Sequence, residues 1–150
     1  MFDRTKLTLE ESKKVADDLN QSSPVLGYLT EHLLVVFVAE LESELKLIIK
    51  DVLVKNSNSS IANLISEALG NIVRRTKQKD LLETIKYFGN DRKEVFLNNV
   101  PEEILARYKN YITNRDDFAH GKSINLTWAD VQSITDDGEE VLQALQAAII

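Results

Sequence analysis

The chain contains no cysteine, which excludes a disulfide framework and any thiolate metal site. The absence fits a reducing compartment, and a cytoplasmic location is the expectation. Histidine is nearly as scarce, with only His32 and His120. Imidazole is the one side chain whose unperturbed pKa lies near neutrality, so each chain has little material for neutral-pH proton transfer. Two histidines also exclude a three-histidine metal site, and neither a metal nor a cofactor is expected. The five glycines are scattered, so there is no glycine-rich phosphate loop. Histidine pairs of the His-Glu-x-x-His type and Asp-rich loops with EF-hand spacing are missing too. Long apolar runs are absent. The most apolar stretch, LLVVFVA at 33–39, is bounded by Glu31-His32 and by Glu40, Glu42 and Glu44. A membrane-spanning helix needs ~20 predominantly apolar residues, so this run reads as a buried helix and no membrane partner is expected. The opening Met1-Phe2-Asp3-Arg4 lacks the zones of a signal peptide, so no leader is expected there.

With 150 residues, of which 43% are hydrophobic, the chain has material for one core and one domain over 1–150. Residues 1–22 read as an N-terminal helix packed on that domain. The formal net charge of −6 argues against broad nonspecific affinity for nucleic acid, and no DNA specificity is expected. The charge is uneven, however. Residues 71–122 hold 11 basic and 8 acidic side chains, whereas residues 123–150 hold 5 acidic and no basic ones.

Helical signals run throughout, and no segment shows clean period-two alternation. Thr8 with Glu11 reads as a capping box opening a helix to about Asn20. Ser23-Pro24 reads as an N-cap with proline at the first helical position. From there Leu26, Leu29, Leu33, Phe37, Leu41, Leu45, Ile48 and Val52 recur at spacings of three and four. That stripe outweighs the β-branched cluster Val35, Val36 and Val38, and it predicts one long helix over about 24–54. Asn58-Ser59-Ser60 reads as the next start, with Gly70 as its cap. Asp80 with Glu83, Asp91 and Pro101 open further segments, and Gly89 and Gly121 close them. Thr127 reads as the cap of a last helix. Gly138 lies inside that helix and should weaken it by ~1 kcal/mol relative to alanine, unless it permits a close contact or marks a break. The expectation is an all-α bundle of five or six helices around one long central helix.

The stretch that carries chemistry is 114–121, Asn-Arg-Asp-Asp-Phe-Ala-His-Gly. It brings a guanidinium, carboxylates, an amide and an imidazole to one helix end. Arg115 and His120 are ~140° apart around an ideal helix, so reaching one cleft needs a long arginine and a frayed end. Helix C-termini recruit cationic residues and glycine for their own sake, so helix-end capping also accounts for the pattern.

This segment resembles the signature of the HEPN domains (higher eukaryotes and prokaryotes nucleotide-binding). Their motif is an arginine, four to six intervening residues and a histidine, here Arg115, residues 116–119 and His120. The long helix with Leu41-Glu42 and Lys46, the Phe88-Gly89 break and the approach from Gly121 to Thr127 resemble the RiboL-PSP-HEPN branch. The resemblance covers most of residues 25–150. It departs at Asp116, where that branch often has asparagine, and an acid beside the arginine weakens its hold on phosphate. The resemblance implies a compact all-α bundle and a metal-independent endoribonuclease. It further implies a toxin or phage-defence role, an antitoxin partner, and a site shared across a homodimer. Arg115 and His120 would then be catalytic, with Asn114 and Asp116 in support. The chemistry agrees with that assignment. Attack by an RNA 2′-hydroxyl needs a base, an acid and a cation for the developing phosphate charge. One motif supplies a single imidazole, so acid and base together call for two copies.

Arg74, Arg75, Lys77, Lys79 and Lys122 are candidate RNA-backbone contacts, against the reading of a solvated basic run. Tyr108 and Tyr111 read as core or interface aromatics rather than base-stacking platforms, and Trp128 as packing for the last helix. His32 reads as a helix-surface residue. The alternative for the whole chain is a non-catalytic helical module that binds a protein or a nucleotide.

Overall fold

Seven α-helices follow one another among the described residues: α1 (Asp3–Ala16), α2 (Pro24–Asn56), α3 (Ser59–Ile72), α4 (Gln78–Lys86), α5 (Arg92–Asn99), α6 (Glu102–Ala119) and α7 (Ile134–Ile149). A 3-10 turn at Ala129–Val131 precedes α7, and there is no strand among the described residues. This computed structural model describes residues 1–56, 59–72 and 76–150, with side chains at 56, 59, 62, 66 and 69–72 also outside the description. The expected all-α bundle is present, with the short Arg92–Asn99 segment standing as a helix of its own.

The 33 residues of α2 form the axis of the fold, about 50 Å long at 1.5 Å per residue. Its predicted stripe is buried from Leu33 through Phe37, Leu41, Leu45 and Ile48 to Val52. Leu34, Val38 and Ile49 are buried as well, which widens the apolar face. The width follows from the neighbours, because α1, α3, α6 and α7 all pack on this one helix. Full burial of a side chain such as Phe37 contributes roughly 1.5–3 kcal/mol.

The first helix begins five residues before its expected cap at Thr8. Its start is held from outside, by Glu40 of α2. The Glu40 carboxylate accepts the backbone N–H groups of Arg4 (3.0 Å) and Thr5 (2.9 Å) and the Thr5 hydroxyl (2.7 Å). Two of the four orphan donors of a helix N-terminus are thereby satisfied across the core. Phe2 sits at the N-cap with φ 58, in the left-handed region, and its ring stacks on Phe37 at 5.2 Å. The helix ends at Ala16 rather than near Asn20.

Three further local expectations change. The helix predicted to stop at Gly70 continues to Ile72, and Asn58 lies outside the described residues. Asp80 sits in the first turn of α4 rather than at its cap, where its charge favours the helix dipole. Thr127 does not open α7. Its N–H and hydroxyl both donate to Asp130 Oδ2 at 2.7 Å, which closes the turn before the 3-10 segment.

Gly138 is explained by packing. A Cβ there would lie 2.6 Å from Phe37 Cε2 and 2.9 Å from the Phe2 ring. The glycine lets α7 seat against the aromatic pair that also fixes α1, and there is no break at 136–138.

Candidate functional site

The C-terminus of α6 closes with two hydrogen bonds that define its geometry. Gly121 N–H donates to the Phe118 carbonyl and Lys122 N–H to the Asp117 carbonyl, both at 2.9 Å. Gly121 adopts φ 71, so the left-handed residue that this helix ending requires is the one with no Cβ. His120 is the C-cap residue, and its N–H is shared by the Asp116 and Asp117 carbonyls at 3.1 Å. The His120 ring is exposed, with Nδ1 2.7 Å from the Asp116 carbonyl oxygen. A carbonyl only accepts, so Nδ1 carries the proton and Nε2 holds the lone pair of the neutral ring.

Asp116 touches both motif residues. Its carbonyl holds the His120 imidazole, and its Oδ1 accepts from Arg115 Nη1 at 3.1 Å. The second carboxylate oxygen pairs with Lys77 Nζ at 3.0 Å. Burial pushes the Asp116 carboxyl up, but Lys77 and Arg115 together outweigh it and hold the group below the usual carboxylate range. Arg115 Nη2 lies 4.0 Å from Glu42 Oε1, and the Arg115 side chain keeps 30% of its surface exposed. Glu42 arrives there because α2 and α6 run parallel. Phe37 meets Tyr111 edge-on at 5.9 Å, and five residues later on α2 Glu42 faces Arg115. Two carboxylates and two cations therefore share this corner.

Lys77 is positioned by α6 itself. The buried Tyr108 hydroxyl donates to the Thr76 carbonyl, which fixes the chain just before α4. Burial raises the Tyr108 phenol well above its ordinary value, so it remains a donor. Tyr108, Ile112 and Asp116 are spaced four apart and lie along one face of α6. The first anchors Thr76, and the last binds the adjacent Lys77.

The other sequence candidates separate. Asn114 is buried and faces away from this chemistry, with Nδ2 on the Asn110 carbonyl (2.9 Å) and Oδ1 accepting Asn125 N–H (2.6 Å). It ties the connection after α6 back onto the helix, and these hydrogen bonds go to Asn110 and Asn125 rather than to Arg115 or His120. Lys122 is exposed and pairs with Asp117 at 3.0 Å. Lys79 is exposed on α4 and lines the same groove as Lys77. Arg74 and Arg75 lie outside the described residues. His32 is exposed on α2, Tyr108 and Tyr111 are buried, and Trp128 packs against the core.

Two features escaped the sequence reading. One is a buried carboxylate, Asp137 on α7, clasped by Arg107 Nε (2.8 Å) and Nη2 (2.7 Å). Asp137 also accepts from the Tyr111 hydroxyl at 2.6 Å and the Ser133 hydroxyl at 3.2 Å. Burial and the Asp137 carboxylate push the Tyr111 phenol up to about 12. The spacing of Arg107 and Tyr111, four apart on α6, was the available signal. The other is the pair Lys93 and Lys109, which join Lys77 and Lys79 around one groove. Nothing in the linear spacing connects residues 93 and 109 to 77 and 79.

Among the described residues no group of three or more His, Asp or Glu side chains is arranged to hold a metal ion. Among them, too, no helix is long and apolar enough to cross a membrane. Compared with protein-family models, curated proteins and solved structures, the chain matches none of them.

Proposed function

We propose that the chain is a HEPN-type endoribonuclease that works without metal, as a homodimer whose two motifs share one site. The observation that carries this reading is the double contact of Asp116, with its carboxylate on Arg115 and its carbonyl on His120 Nδ1. One residue thus contacts the cation through its side chain and sets the tautomer of the imidazole through its carbonyl. The neutral ring offers Nε2 as a base to the 2′-hydroxyl of RNA. The 2′-oxygen then bonds to the adjacent phosphorus, and the bond to the 5′-oxygen breaks. A protonated imidazole from a second copy returns a proton to that leaving oxygen. The products are a 2′,3′-cyclic phosphate and a free 5′-hydroxyl. Arg115 offers its planar donors to the charge that develops on phosphorus oxygens. A toxin or phage-defence role in the cytoplasm, with an antitoxin partner, goes with this reading.

The test is incubation of RNA with wild type and His120→Ala in EDTA, with product ends examined. Cleavage to cyclic-phosphate ends by wild type alone is expected. No cleavage by wild type, or equal cleavage by His120→Ala, overturns the proposal.

One observation favours a second reading. His120 is the C-cap of α6, and Arg115 is already engaged by Asp116 and Glu42. Both residues then serve the helix end, and the chain is a non-catalytic module for a protein or nucleotide. Under that reading His120→Ala lowers the melting temperature while RNA stays intact with either protein.

A further inference from the structure

Four lysines on three helical segments converge on one groove. Lys77, at the start of α4, and Lys79 form one wall, with Lys93 of α5 and Lys109 of α6 also at the rim. Leu82 and the buried Ile112 supply an apolar floor, and Gln78 and Thr113 add polar edges. The cavity measures about 420 Å³, within the ~300–1,000 Å³ of ordinary ligand sites. Glu83 is the one acid among the described lining residues, and Lys86 already pairs with it at 2.7 Å. Lys77 is tied to Asp116, but Lys79, Lys93 and Lys109 form no ion pair with a described residue.

In a chain of net charge −6, such a set of lysines around an apolar floor selects for an anionic ligand. The groove is also joined to the motif. Lys77 shares the Asp116 carboxylate with Arg115, so the rim of the groove and the proposed catalytic corner meet at one side chain. Lys109 and Arg115 are six residues apart on α6, about 9 Å along its axis. A single phosphate group is too small to span that distance, whereas a strand with consecutive phosphates is not.

We infer that this groove is the track for the phosphodiester backbone of a single RNA strand leading to Arg115 and His120. The inference rests on the nuclease reading for the direction of the strand, but the binding surface is defined by the lysines alone. Among the described residues no aromatic side chain lines the groove, so bases find no stacking platform among them and sequence preference in this segment is low. Ammonium groups act on phosphate as point charges, so the binding depends steeply on salt.

The experiment measures binding of a labelled 2′-O-methyl RNA strand, which has no attacking hydroxyl, by fluorescence anisotropy over a salt series. The variant is Lys93→Ala with Lys109→Ala, the first half-buried and the second exposed. The control is Lys13→Ala with Lys14→Ala on exposed α1 positions. The groove variant is expected to bind on the order of tenfold more weakly, with a log–log salt slope shallower by about 1.4, as two lost single-strand contacts require. The control is expected to bind as wild type. Unchanged binding by the groove variant overturns the inference, and so does an equal loss in the control. Displacement of the strand by inorganic phosphate or a mononucleotide at matched phosphate concentration also overturns it, in favour of a small-anion site. A wild type that binds through these lysines yet cleaves no natural RNA supports the groove while overturning the nuclease. A wild type that cleaves while the groove variant binds unchanged overturns the groove alone.

Discussion

Arg107 and Asp137, on α6 and α7, meet through two parallel N–H to oxygen bonds of 2.8 and 2.7 Å. The carboxylate end is buried, at 3% side-chain exposure, while the guanidinium is 43% exposed. The asymmetry decides which partner matters more. An orphaned Arg107 turns to water, but an orphaned Asp137 is a charge left in the core with only two hydroxyls. Arg107→Ala is therefore expected to cost about 3 kcal/mol, far above the ~0–1 kcal/mol of an exposed ion pair. Urea unfolding of wild type and variant measures the difference. A loss below about 1 kcal/mol would mean that the pair behaves as a surface contact.

Acid should unfold this chain through the same carboxylates. Burial opposes ionisation of Asp137 and Glu40, but the donors of Arg107 and Tyr111, and of Thr5 and Arg4, outweigh it. Both groups are held below their ordinary values of 3.8 and 4.5. A depressed carboxylate binds its proton more tightly in the unfolded chain, so protonation favours unfolding. The stability they contribute is complete above the ordinary values and is lost as pH falls through the lower folded-state values. The melting temperature of wild type should fall steeply below about pH 4. Glu40→Gln with Asp137→Asn should start lower at neutral pH and fall less steeply. An identical acid slope in the double variant would show that other groups govern the transition.

Replacing Gly138 sets helix propensity against packing. Alanine in a helix interior is better than glycine by about 1 kcal/mol. At Gly138 the added methyl meets Phe37 at 2.6 Å and Phe2 at 2.9 Å, and overpacking costs typically about 1–3 kcal/mol. Gly138→Ala is expected to be destabilising by about 1 kcal/mol net. Thermal unfolding would read this as a lower melting temperature, and a higher one would place the contact in doubt.

Asp116 carries the charge that the motif arginine has to compete with. Asp116→Asn keeps the backbone carbonyl that holds His120 and removes one negative charge from Arg115 and Lys77. Under the proposed activity, RNA cleavage should rise severalfold, mostly as a lower KM, because a neutral amide leaves both cations freer for phosphate. A fall in kcat of more than about tenfold would assign the carboxylate itself to orienting Arg115.

The long helix was legible because its signal is redundant. Six residues of the predicted stripe, from Leu33 to Val52, are buried as their spacing requires. The end of α6 at Gly121 was legible for a different reason, since a left-handed residue in a helix ending strongly favours glycine. The start of α1 was not legible. Its cap is Glu40, 35 residues away from Thr5, and no local rule reaches that far. Thr8 and Glu11 do satisfy a local capping pattern, but the tertiary cap and the burial of Phe2 extend the helix past it.

The candidate site divides along the same line. Arg115, Asp116 and His120 are neighbours in the chain, so their meeting at one helix end follows from helical geometry. Asn114 looked equivalent in the sequence, yet the fold turns it inward to hold Asn125. Lys77, Lys93 and Lys109 come together only because Tyr108 pins Thr76 to α6 while α4 and α5 pack on each other and on α7. The sequence alone determined the helices and the motif at the end of α6, because both are set by contacts within a few residues. Only the tertiary structure decided which charges face one another, because that depends on how helices distant in the chain are packed.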